Sequence, residues 1–219
     1  MSNNQSNPFK NDIYDDFMAK TNVDRLQKIL ARYELFRKVL TVPGDIVECG
    51  VYKGSGLYTF AKLQKLFRPN SEQRIVGFDF FNTERPQEAK YQEDLELIHW
   101  HDNSCSSIEE IKKNCTRMGV SRLELVAGDI VKTTRQYVED NLGFRISLLY
   151  IDVDNYEGTL AILENFYDLV TSGGIISFDE YALRTYGESN AVDEFMKGRP
   201  EKLQCLPWAN TPSGFIIKQ

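Results

Sequence analysis

Along this chain of 219 residues four short apolar runs end in Asp79, Asp129, Asp152 and Asp179, and a fifth, first in chain order, contains Glu48 just before Gly50. If each run is a strand of one parallel sheet, its acid lies at or near the carboxyl end of the strand, on the rim where open α/β sheets bind ligands. Carboxylates gathered on one rim repel each other. Such a rim needs a cation, or a ligand that offers hydroxyls and amines. The plainer alternative, an acid capping the helix that follows its strand, accounts for one or two of the five.

The first of these runs leads into a glycine-rich turn, in which Gly50, Gly54 and Gly56 are interleaved with Tyr52 and Ser55. Glycine lets the backbone approach a ligand closely. The spacing is G-x-x-x-G-x-G, whereas a dinucleotide pyrophosphate site has G-x-G-x-x-G. Glu48, just ahead of the turn, would repel a pyrophosphate but suits a cofactor that carries an amine.

The elements that must hold these residues alternate along the chain. Helical spacing of Val23, Leu26, Ile29, Leu30, Tyr33, Phe36, Val39 and Leu40 predicts a helix over 22–40. Strands follow at 45–50, 74–79, 123–129, 147–152 and 175–179. Helices come between them at 56–67, 107–118, 134–141 and 157–171, the last closed by Gly173 and Gly174. A further helix over 191–197 precedes two strand-like runs, 202–206 and 214–218, which read as an antiparallel pair. This pattern predicts an α/β fold: a doubly wound, mostly parallel seven-stranded sheet with an antiparallel C-terminal edge. Residues 1–21 read as a mobile N-terminal tail and 22–219 as a single domain. Within that domain 80–105, which shows no clear period, reads as a lid or insertion.

Composition excludes several classes. Apolar residues make up 42% and charged residues 26%, an ordinary globular balance. No apolar run is long enough to span a membrane. A net charge of −6 argues against nucleic acid as a partner. Cys49, Cys105, Cys115 and Cys205 are widely spaced with no C-x-x-C pair, so reduced thiols are expected. Together with the polar start, they point to the cytoplasm. His99 and His101 flank Trp100; an i, i+2 pair in a polar stretch reads as solvated loop rather than a metal pair.

The runs from Gly44 to Gly54, Gly77 to Asp79, Tyr150 to Tyr156 and Gly173 to Tyr181 resemble the macrocin O-methyltransferase family. Its members are class I S-adenosylmethionine-dependent enzymes, Rossmann-like in fold, that methylate sugar hydroxyls in antibiotic pathways. The resemblance implies O-methyl transfer assisted by Mg²⁺, held by Asp152, Asp179 and Glu180; Glu180 stands where the family usually has a second aspartate. Hard oxygen ligands suit that ion, and a bound divalent cation would acidify a chelated hydroxyl. Asp154 is then the general base, with His99 and His101 as rivals and a helix N-cap as its plainer role.

For S-adenosylmethionine, the resemblance puts Glu48 and Gly50 near the methionine end, with Tyr52, Gly54 and Ser55 in the adjoining turn. Asp79 would receive the ribose hydroxyls, as acids there do in nucleotide folds, and Asp129 would sit near the adenine. Tyr52, Phe80, Phe81 and Tyr156 would wall the sites, and Ile130 and Asp152 complete the expected cofactor contacts. The acceptor would be a small hydroxylated molecule, a sugar or nucleotide sugar, with a catechol or polyphenol as the alternative. A nicotinamide-dependent oxidoreductase is disfavoured by the glycine spacing and by the lack of a Tyr-x-x-x-Lys pair after the fourth strand. The broad apolar face of 22–40 is expected to pack on the sheet or on a second copy, in a homodimer or larger homo-oligomer.

Overall fold

The computed structural model describes residues 13–100, 105–182 and 187–219. Helices α1 (Tyr14–Lys20) and α2 (Val23–Lys38) lead into β1 (Asp45–Cys49), α3 (Ser55–Phe67) and β2 (Ile75–Asp79). Then come α4 (Gln92–Trp100), α5 (Ile108–Arg117), β3 (Leu123–Ala127), α6 (Ile130–Asp140) and β4 (Ile146–Ile151). Helix α7 (Tyr156–Phe166) and a 3₁₀ turn, Tyr167–Leu169, precede β5 (Val170–Phe178), α8 (Glu188–Met196) and β6 (Gly214–Ile217). The strands form one sheet in the order β3-β2-β1-β4-β5-β6, parallel except for the antiparallel β5–β6 pair. Among the described residues no helix is long and apolar enough to cross a membrane.

The central strands are mostly apolar because both of their faces are covered; all six residues of β4, Ser147 among them, are buried. Successive side chains alternate between two clusters. Ile46, Ile75, Leu148, Tyr150 and Ile175 pack beneath α2 and α3 against Leu35, Phe36, Leu57 and Phe60. Val47, Val76, Leu149 and Ile176 pack on the opposite side against Tyr137, Ile162, Phe166 and Val192. Each fully buried side chain of this size contributes about 1.5–3 kcal/mol.

The sheet has six strands, not the expected seven. Residues 202–206 contribute only an isolated bridge, Gln204 to Phe215. The next rung would need the Ser213 N–H, but that group donates to the Phe178 and Asp179 carbonyls on the β5 side. Pro207, lacking an N–H, follows directly and cannot extend the ladder.

Other boundaries move for identifiable reasons. Helix α6 starts at Ile130 because Asp129 caps it, accepting the Val131 N–H at 3.1 Å. Gly173 and Gly174 lie inside β5, where a register shift against β4 absorbs them; they do not close a helix. In α2 the buried residues are Ala31, Arg32, Leu35 and Phe36, while Val23 and Leu30 from the expected apolar face are exposed. Within the segment read as a tail, α1 forms a short helix with no buried residue; residues 1–12 lie outside the described residues. The stretch read as a lid contains α4, which buries Asp94 and Ile98.

Candidate active site

Strands β1 and β4 end side by side, and Gly50 makes that approach feasible. The Asp152 N–H donates to the Cys49 carbonyl at 2.8 Å. A Cβ at Gly50 would stand 1.7 Å from the Asp152 carbonyl oxygen, and φ there is +93°. Only glycine meets both conditions. Beyond the carboxyl ends of the strands opens a cavity of about 530 Å³.

Most of the expected residues reach this cavity. Glu48, Gly50, Tyr52, Ser55 and Asp79 line it from the β1 and β2 tips, and Phe80, Asp129 and Ile130 continue the wall toward β3. Asp152, Asp154 and Glu180 line it from the β4 and β5 tips, and Arg85, Pro86 and Ile98 from the 80–105 segment form a further wall. Gly54 and Asp179 are not in the lining. Gly54 caps α3 in the left-handed region, and Asp179 is fully buried beneath the floor.

Asp79 does more than face a ligand. Its Oδ2 accepts the Val51 and Tyr52 N–H groups, both at 2.7 Å, and Oδ1 accepts the Phe81 N–H at 3.3 Å. The acid therefore sets the shape of the glycine turn, which includes Tyr52 at φ 50°. Asp129 fills the capping role weighed as the plainer reading.

The pleat decides where the remaining acids point. Glu48 pairs in register with Tyr150, and Tyr150 with Ser177. Two residues beyond each lie Asp152 and Asp179, so all are directed toward the face covered by α2. There α2 presents Lys28 and Arg32, one turn apart. The Lys28 ammonium is 2.7 Å from Asp179 Oδ2 and 3.2 Å from Asp152 Oδ2. The Arg32 guanidinium is 3.5 Å from Glu48 Oε1 and 3.6 Å from Asp152 Oδ2, and lies 4.7 Å above the Tyr150 ring. The Tyr150 hydroxyl donates to Asp179 Oδ1.

Burial opposes the charge on Lys28, yet Asp152 and Asp179 hold its pKa above the ordinary lysine value. Burial pushes Glu48 up to about 8 against the pull of Arg32. Its Oε2 is buried and, among the described residues, has no hydrogen-bond partner. A buried acceptor left open beside the turn fits the amine of an amino-acid-bearing cofactor.

Lys28, Arg32 and Tyr150 were not singled out by sequence reasoning, which took α2 as an amphipathic helix. The signal was present: positions 28, 32 and 36 form one helical row, two cations leading into a buried phenylalanine.

Asp154 sits at φ 57°, a conformation uncommon outside glycine and characteristic of functional turns. It does not cap α7; Asn155 does, its Oδ1 accepting the Gly158 N–H at 2.7 Å. Burial, then Asp152 and Glu180, push the Asp154 carboxyl well above the usual range. Glu180 is pushed up to about 7 by burial and then by Asp179. Two further acids support this end. Asp94 accepts the Tyr156 N–H at 2.8 Å and the Gly187 N–H at 2.9 Å. Glu188, fully buried, accepts the Glu180 N–H at 2.9 Å. His99 is exposed, with Nε2 3.0 Å from the Pro86 carbonyl, and is not part of the lining; His101 lies outside the described residues.

The residues expected to hold Mg²⁺ do not fit that ion as arranged. Both Asp179 oxygens are engaged, one by Lys28 and one by Tyr150. Among the described residues no group of three His, Cys, Asp or Glu side chains is disposed to hold a metal ion.

The chain matches the Macrocin-O-methyltransferase (TylF) family over residues 16–204. It is 25% identical over 148 residues to the 8-demethyl-8-(2,3-dimethoxy-alpha-L-rhamnosyl)-tetracenomycin-C 4'-O-methyltransferase of Streptomyces olivaceus, covering 65% of this chain and 54% of that one. To the Mycinamicin III 3''-O-methyltransferase of Micromonospora griseorubida it is 23% identical over 162 residues, covering 70% and 61%. It thus spans little more than half the length of these curated relatives. The crystal structure of CalS11, a calicheamicin methyltransferase, has a TM-score of 0.75 at 27% identity, covering 98% of this chain and 87% of that one. The apo structure of CalS11, described as a TDP-rhamnose 3'-O-methyltransferase, has a TM-score of 0.72 at 28% identity, covering 94% and 84%. Matched over most of its length, this chain belongs to the macrocin O-methyltransferase family.

Proposed function

We propose that this chain is an S-adenosylmethionine-dependent O-methyltransferase acting on a hydroxyl of a small sugar, free or nucleotide-linked. The observation that carries the reading is Asp154, a strained, pKa-raised carboxylate that lines the same cavity as the glycine turn. Support for the acceptor class comes from relatives whose names carry a rhamnosyl group or TDP-rhamnose.

When bound, the cofactor supplies an electrophilic methyl group on sulfur. The protein's own work is binding and proton handling. The turn from Gly50 to Gly56 would admit the cofactor close to the backbone, and the open Glu48 oxygen would take its amine. Asp79 would face the ribose and Asp129 the adenine, with Phe80 and Ile130 completing the wall. Asp154 takes the proton of the acceptor hydroxyl, and its raised pKa makes it a stronger base than an ordinary aspartate once ionised. Magnesium has no part in this scheme, because Lys28 and Tyr150 already hold Asp179.

The test is a calorimetric titration with S-adenosylhomocysteine and with NAD, followed by a methyl-transfer screen over nucleotide sugars, glycosides and catechols. Heat with the first ligand alone and product from a sugar hydroxyl support the proposal. Binding of NAD, or transfer to catechols only, replaces it.

A further inference from the structure

The geometry points to Lys28 as this chain's own cation: its ammonium holds the place between Asp152 and Asp179 that a divalent ion would take, so methyl transfer here proceeds without a metal. The activity arm of this inference rests on the methyl-transfer reading above; the binding arm does not.

Three observations converge. The first is occupancy. The ammonium bridges the two carboxylates at 2.7 and 3.2 Å, and the remaining Asp179 oxygen receives the Tyr150 hydroxyl. Magnesium demands near-octahedral oxygen donors. To reach Asp179, a side chain with no exposure, it would have to displace Lys28 from a floor closed by Tyr150.

The second is charge. Arg32 is 3.6 Å from Asp152 Oδ2 and 3.5 Å from Glu48 Oε1, and Lys28 lies between Asp152 and Asp179, so two fixed cations already flank the place between those two aspartates. A divalent ion entering the cluster would meet both at close range and in a poorly screened interior. Part of the repulsion expected of a bare acidic rim is therefore answered from within the chain.

The third is placement. Lys28 lines the cavity at the same end as Asp154. Among the described residues, two of its three N–H groups go to Asp152 and Asp179. The third is left to donate to the oxygen of the methyl acceptor while Asp154 takes the proton. That is the stabilisation a metal would give a developing alkoxide, delivered by a hydrogen-bond donor. Helix α2 is seated by fully buried Leu35 and Phe36, which fixes the approach of the lysine.

The experiment is Mn²⁺ binding followed by electron paramagnetic resonance, and Mg²⁺ binding by calorimetry, on the full chain dialysed against EDTA. Wild type should bind neither ion at the cluster. Lys28→Met, which removes the charge and keeps the chain length, should gain Mn²⁺ binding that a second change, Asp179→Asn, abolishes. S-adenosylhomocysteine affinity, measured alongside, confirms that each variant is folded. One Mn²⁺ per wild-type chain, lost in Asp179→Asn, overturns the inference, and this comparison needs no lysine variant.

In the activity arm, wild-type transfer should be unchanged by EDTA, and Lys28→Met should lose about 10²–10³-fold in kcat. Loss of wild-type activity in EDTA with recovery in Mg²⁺ also overturns it. A folded Lys28→Met protein that neither gains Mn²⁺ nor loses turnover does the same. If no acceptor is methylated at all, the functional reading fails while the Mn²⁺ result still decides the role of Lys28.

Discussion

The carboxylate of Asp94, on helix α4, accepts the backbone N–H of Tyr156 at 2.8 Å, across 62 residues of sequence. With its other oxygen it accepts the Gly187 N–H. One buried side chain thereby joins the segment after β2 to the loop that carries Asp154 and to the start of α8. The fit is close: a Cβ at Gly187 would stand 2.3 Å from Asp94 Oδ2.

Removing this tie should affect turnover more than cofactor binding. Asp94→Ala leaves two buried N–H groups unpaired, at about 1–3 kcal/mol each, and frees the loop two residues beyond Asp154. The expected result is a lower denaturation midpoint and a lower kcat, with S-adenosylhomocysteine affinity little changed. A variant with full kcat would show that the loop holds its shape without Asp94.

Asp154→Asn keeps the size of the side chain and removes the proton acceptor. Turnover should fall about 10²–10⁴-fold with cofactor affinity preserved. In wild type the rate should rise with pH as the carboxyl ionises. Burial and Asp152 raise its pKa, so the inflection should lie above the ordinary carboxylate range. A flat pH–rate profile in wild type, or a fully active Asn variant, would remove Asp154 from the chemistry.

Glu48 should make stability depend on pH. Burial moves its pKa from 4.5 up to about 8. Between those values the folded protein keeps a proton that the unfolded chain has released. Its contribution therefore favours folding at low pH and fades as pH climbs through that window. Raising the pH across it should lower the melting temperature of wild type more than that of Glu48→Gln, which does not titrate. Parallel slopes for the two proteins would contradict the assignment.

Gly50→Ala tests the junction of β1 and β4. The added methyl meets the Asp152 carbonyl at 1.7 Å on a backbone at φ +93°, so both strain and a clash arise at the sheet centre. A loss of about 3 kcal/mol or more is expected, read from urea denaturation midpoints. A near-neutral substitution would mean that the strand tips can separate.

The sequence by itself determined the alternation of strands and helices, and with it a doubly wound sheet, because hydrophobic period and glycine or proline punctuation are local signals. It also placed Glu48, Asp79, Asp129, Asp152 and Asp179 on one rim, since strand ends follow from strand positions. It could not say which way those acids turn. That depends on the register of Glu48 with Tyr150, 102 residues apart in the chain, and of Tyr150 with Ser177, 27 residues apart. The edge of the sheet was likewise settled in three dimensions, where the Ser213 N–H faces β5 and the run at 202–206 is left with one bridge. Above all, the docking of α2 decided that Lys28 and Arg32 meet the rim acids. A helix written as an apolar stripe carries no record of which charges it lowers onto a distant sheet, because that contact is fixed by the packing of Leu35 and Phe36 against the core.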